Sequence, residues 1–70
     1  KIAMKFLEIG GHYINPNNVV EIKHGGKVEN TTINKVDIVF NFSTGTPPTP
    51  FKITVNSDVE SVLKIFEKFN

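Results

Sequence analysis

The sequence predicts an α+β fold, a small antiparallel β-meander of four to five strands with one C-terminal α-helix packed on the sheet. Three observations carry this. Residues 33–43 (INKVDIVFNFS) alternate apolar and polar side chains with the period of a half-buried strand. Gly10-Gly11, Gly25-Gly26 and the proline-rich residues 44–50 (TGTPPTP) punctuate the chain at the spacing of short strands. After the last of these, residues 57–69 switch to the i, i+3, i+4 spacing of an amphipathic helix. Strands followed by one such helix bury both apolar surfaces by laying one on the other.

Taken in order, residues 4–9 (MKFLEI) hold alternating apolar positions and no turn former, and so predict a first strand. Gly10-Gly11 can supply the positive φ values of a two-residue hairpin turn, which returns His12, Tyr13 and Ile14 antiparallel to that strand. Residues 15–18 (NPNN) then interrupt the chain. Pro16 disfavours helix at Asn15, while Asn17 and Asn18 tolerate left-handed backbone and bond their own main chain. The interruption is expected to reverse or offset the chain between two strands of one sheet, a role in geometry rather than chemistry. Residues 19–24 (VVEIKH) predict a strand with Val20 and Ile22 on one face and Val19, Glu21 and Lys23 on the other, closed by Gly25-Gly26. Residues 27–32 (KVENTT) are polar enough for a hairpin tip.

In residues 33–43, Val36, Ile38, Phe40 and Phe42 point one way and Asp37, Val39, Asn41 and Ser43 the other. That predicts a central strand with one face on the core and the other largely wet. The prolines of residues 44–50 remove donors and fix φ, which makes this segment a loop. Phe51, Ile53 and Val55 alternate with Lys52 and Thr54 in a last strand. Ser57-Asp58-Val59-Glu60 matches the capping box, in which the serine oxygen accepts a first-turn amide proton and the glutamate reaches back. The helix stripe is Val59, Val62, Leu63, Phe66 and Phe69, with Leu63 and Phe66 expected at its buried centre and Lys64 on the opposite face.

Seventy residues make a single small domain, 1–70, because a chain of this size buries only roughly 60% of its unfolded surface. There is no cysteine, hence no disulfide and no thiolate zinc site, which raises the expectation of a homo-oligomer. Met4 is a candidate natural start, which would place Lys1, Ile2 and Ala3 outside the native protein. No basic-then-apolar leader and no apolar run near the roughly 20 residues of a membrane span is present, so a cytoplasmic protein without a membrane partner is expected. Net charge is +1 and all eight basic side chains are lysine. Without arginine, bidentate recognition of phosphate or guanine is disfavoured.

His12 and His24 with Glu21 or Asp37 have suitable ligand chemistry, but no paired-histidine spacing is present and a metal site needs three or four convergent groups. Two surface histidines at strand ends are the simpler reading. No serine sits in a nucleophile elbow and no base is marked beside one, so no catalytic residue, cofactor or enzyme activity is expected. The glycine pairs lack the strand-to-helix context and lysine of a phosphate-binding loop, and read as hairpin turns. Pro47 to Pro50 satisfies PxxP but reads as a stiff connection. The candidate binding surface is Tyr13, Lys23 and Lys52, since an aromatic residue with lysines is the chemistry of sheet-based single-strand binders. Phe40, Phe42, Phe51 and Phe66, on the inward faces, read as core.

The order of an apolar strand, glycine, YINPNNVVEI, hairpin, alternating strand and ITVNSDVESVLKIF resembles the small FlbD-type proteins found with flagellar genes. These share a glycine, an INP-type turn leading to an apolar strand, and a serine-led terminal helix. The matching positions are Gly11, Ile14-Asn15-Pro16, Val20, Ile22 and residues 55–65. Residues 44–50 depart from that pattern, being a longer excursion where a tight turn is expected. The resemblance brings no catalytic residues. The expected function is a small non-catalytic protein-interaction module that binds itself or another protein; the alternative is a weak single-stranded nucleic-acid-binding module.

Overall fold

The computed structural model describes residues 5–69; Met4, with the native start and the first strand residue expected there, lies outside them. Among the described residues the chain forms β1 (Leu7–Ile9), β2 (His12–Ile14), a 3-10 turn (Pro16–Asn18), β3 (Val19–Lys27), β4 (Asn34–Thr44), β5 (Thr49–Asn56) and α1 (Val59–Phe69). This is an α+β fold with all strand pairs antiparallel. The five strands divide into a β1-β2 hairpin and a three-stranded sheet of order β3-β4-β5, with β4 central as its alternation predicts.

The hairpin closes at Ile9 opposite His12, and Gly10 (φ 56°) and Gly11 (φ 86°) take the left-handed values its two-residue turn requires. Glu8 Oε2 accepts from the Gly11 N–H at 2.9 Å. In the NPNN segment, Asn15 Oδ1 accepts from the Asn17 N–H and the Asn15 carbonyl from the Asn18 N–H, both at 3.0 Å. Pro16 opens the turn, where its missing donor costs nothing. The expectation that this turn joins two strands of one sheet is corrected, because it carries the chain from the hairpin to the other sheet. Leu7, Ile9 and Ile14 are buried in the core cluster, so the hairpin covers the large sheet's face instead of extending its edge.

Two β-bulges shape β3. Val19 faces Phe40 and Glu21 faces Val39, so one extra residue, Val20, enters β3 at this point. The predicted face pattern is therefore corrected: Val19 and Ile22 pack on the core, Val20 is 64% exposed, and Glu21 and Lys23 point away. A second bulge lies between His24, opposite Val36, and Lys27, opposite Asn34. Gly25-Gly26 thus continues the strand rather than closing it, with Gly26 at φ 88°. The hairpin tip is residues 28–33, closed by the Val28 N–H donating to the Ile33 carbonyl at 2.9 Å.

The β4-β5 connection is tighter than the loop expected over residues 44–50. Thr44 pairs with Thr49 and Ser43 with Pro50, leaving a four-residue turn. Pro50 fits a strand here because β5 is a sheet edge. Between Val39–Lys52 and Ser43–Pro50 the register shifts by two residues on the β4 side. This gathers three rings, with Phe42 stacked on Phe51 at 5.2 Å and Phe40 tilted against both. Phe42 was expected inside with Phe40 and is 46% exposed, in a stretch, residues 41–50, that is exposed throughout.

Val36, Ile38, Phe40 and Val55 of the sheet, Leu7, Ile9 and Ile14 of the hairpin and Val62 of the helix make one buried cluster. The helix is rotated from its expected setting. Val62 is fully buried, Val59, Ile65, Phe66 and Phe69 are partly buried against the core cluster, and Leu63 is 44% exposed. At 3.6 residues per turn Leu63 stands about 100° from Val62, so centring the face on Val62 and admitting Ile65 turns Leu63 out. The capping box does not form either. The Ser57 hydroxyl lies against the Asp58 carbonyl at 3.4 Å, and that carbonyl accepts the Val62 N–H at 3.1 Å. Asp58 Oδ1 instead accepts from Asn34 Nδ2 at 2.8 Å, and Asn34 Oδ1 accepts from Lys27 Nζ at 2.6 Å, tying the helix start to the sheet. Among the described residues no helix is long and apolar enough to cross a membrane.

Candidate functional site

The large sheet presents two surfaces with different chemistry. On the face turned away from the core, Asp37 of β4 lies between Lys23 of β3 and Thr54 of β5, its cross-strand partners. It is only 9% exposed. Thr54 Oγ1 donates to Asp37 Oδ1 at 2.7 Å, and Lys52 Nζ stands 3.5 Å from Oδ2. Gly25 makes room for this carboxylate, since a Cβ there would lie 2.7 Å from Oδ1. The expectation of a largely wet face is thus corrected at its centre.

The Thr54 hydrogen bond, aided by the charges of Lys52 and Lys23 and opposed by burial, holds the Asp37 carboxyl below its ordinary value. A carboxyl whose pKa is lower folded than unfolded stabilises the fold above the unfolded value, and that contribution is lost as pH falls through the folded one. We expect urea midpoints to drop as pH falls below about 4, the ordinary carboxylate value, and to drop less for Asp37→Asn. Equal drops in both proteins would remove Asp37 as a cause.

Of the residues singled out as a binding surface, Lys23 and Lys52 come together around Asp37, and Lys52 is engaged in the ion pair. Tyr13 is in the other sheet, opposite Glu8 on β2, and is 74% exposed. His12 and His24 are exposed on different sheets. Among the described residues no three His, Asp or Glu side chains are grouped to hold a metal.

The second surface runs along the β3 edge. An open groove of about 400 Å³ is lined by Pro16, by Val19, Val20, Glu21 and Ile22 of the strand, and by Leu63 and Phe66 of the helix. The bulge at Val20 and the rotation of α1 place two apolar side chains there in solvent. Beside them, no strand among the described residues pairs with the outer edge of β3. Unpaired N–H and C=O groups next to exposed apolar side chains are the elements of strand addition. Sequence reasoning missed Val20 and Leu63 because both fit a buried stripe when read at fixed period. The one available signal was the excess of apolar residues in VV and VL over what one face can bury. No family model, curated protein or solved structure matches the chain.

Proposed function

We propose that the domain is a small non-catalytic protein-interaction module that associates with itself. The observation that carries this reading is the open β3 edge beside a groove with exposed Val20 and Leu63. Strand addition draws affinity from main-chain hydrogen bonds and specificity from side-chain pockets, and both are available here. A small core without disulfides also gains from association, because a partner that binds only the folded state stabilises it. Kinship with the FlbD-type proteins is part of this proposal. Sedimentation over the micromolar range is expected to show mass rising with concentration. A strictly monomeric, thermally stable species would refute self-association.

The second reading, weak binding of single-stranded nucleic acid, draws on the exposure of Tyr13. Its lysines serve it poorly, since Lys52 is turned to Asp37. Such binding would weaken steeply with salt. Titration with a labelled oligonucleotide at low salt distinguishes it, and no saturable signal is expected.

A further inference from the structure

We infer that two copies of this chain pair through β3, antiparallel and about a two-fold axis at Ile22, joining their three-stranded sheets into one of six strands. This rests on the self-association reading and specifies its surface and register. The large sheet has two edges, β3 and β5. Pro50 lies within β5, and proline is a residue that keeps other strands off an edge. In β3, the stretch from Glu21 to His24 between the two bulges keeps an unbroken register with β4, so its backbone is regular enough to take another strand.

The side chains of that stretch are self-complementary. With Ile22 opposite its own copy, Glu21 faces the partner's Lys23 and Lys23 faces the partner's Glu21. Opposite charges directly across an antiparallel pair attract, and like charges repel. An axis at Glu21 or at Lys23 would set each of those residues against itself. A two-fold through the sheet also preserves its faces. Both charge pairs then lie on the Asp37 face, to which Glu21 and Lys23 point. Ile22 meets its copy on the helix side, where the groove holding Val20, Leu63 and Phe66 abuts the same groove of the second copy. The occupant of the groove is therefore the groove itself, and one arrangement accounts for the open edge, the charge order and the exposed apolar side chains.

The test is charge reversal followed by mixing, read by sedimentation equilibrium with circular dichroism as the check on folding. Glu21→Lys and Lys23→Glu, each alone, convert both pairs to like charges and are expected to weaken self-association roughly tenfold or more. An equimolar mixture of the two variants restores opposite charges at both pairs and is expected to associate at least as well as the parent protein. Leu63→Asp is expected to weaken association while leaving the monomer folded. If Lys23→Glu fails to fold, because its new carboxylate faces Asp37, then Glu21→Lys and Leu63→Asp decide the matter. A parent protein that associates while the folded variants associate equally well, or a mixture of folded variants no stronger than its components, overturns the β3 pairing and leaves self-association standing. A parent protein that is monomeric throughout removes both.

Discussion

Replacing Ile38 with alanine is expected to lower the unfolding free energy by roughly 2 to 5 kcal/mol. Ile38 is fully buried on the central strand, between Ile22 and Ile53 across the two ladders. Its removal leaves a cavity that the sheet cannot collapse, because hydrogen bonds to both neighbours hold β4 in place. A domain of this size has roughly 4 to 10 kcal/mol in all, so the variant should be close to unfolding at room temperature. Leu63→Ala is the informative contrast. A helix stripe centred on Leu63 would make the two losses similar. With Leu63 44% exposed, the loss in monomer stability should stay below about 1 kcal/mol, and the effect should fall on association. Urea denaturation of both variants, at concentrations where the chain is monomeric, measures the difference. Similar losses would mean that α1 is not rotated as described.

Gly25→Ala is expected to cost about 1 to 3 kcal/mol, the range for forcing an extra carbon into filled space. The new Cβ would stand 2.7 Å from Asp37 Oδ1, 3.1 Å from its Cγ and 3.4 Å from Lys35 Cβ. A free carboxylate would swing aside at little cost. This one is held by Thr54 on β5 and drawn to Lys52, so moving it loosens the hydrogen bond that keeps the carboxyl ionised. The double variant Gly25→Ala/Asp37→Ala separates cause from coincidence. If the clash is with the carboxylate, the alanine at 25 should cost much less once Asp37 is gone. An unchanged cost in that background would place the strain in the β3 backbone instead.

Much of the fold was legible along the chain, because its signals act within a few residues. Gly10-Gly11 made a hairpin because a two-residue turn needs positive φ at both positions. The alternation from Val36 to Phe40 marked the central strand because a strand's side chains can do nothing but alternate. Asn15 and Pro16 built their turn from their own side chains. Neither surface of the candidate site was legible to the same degree. Lys23 and Lys52 were visible as charges, but the carboxylate that gathers them lies on the strand between them. Val20 and Leu63 were visible as apolar residues and were assigned to the core.

What the sequence determined by itself, then, is the set of elements, their order and their antiparallel sense, since periodicity and turn chemistry are properties of short segments. The tertiary structure decided how those elements are phased against one another. Val20 leaves the core because Glu21 takes register with Val39 while Val19 stays opposite Phe40, an adjustment that only the neighbouring strand imposes. Leu63 turns outward because the helix centres on Val62 and also buries Ile65 against the hairpin and sheet. The helix start is tied to the sheet through Asp58, which accepts from Asn34 at 2.8 Å, and not through the Ser57–Glu60 capping box, because β4 brings the Asn34 amide to it. Asp37 is buried because Thr54, Lys52 and the bare backbone of Gly25 converge on it from both flanking strands. In each case the local pattern did not fix the placement, and contacts with residues distant in sequence decided it.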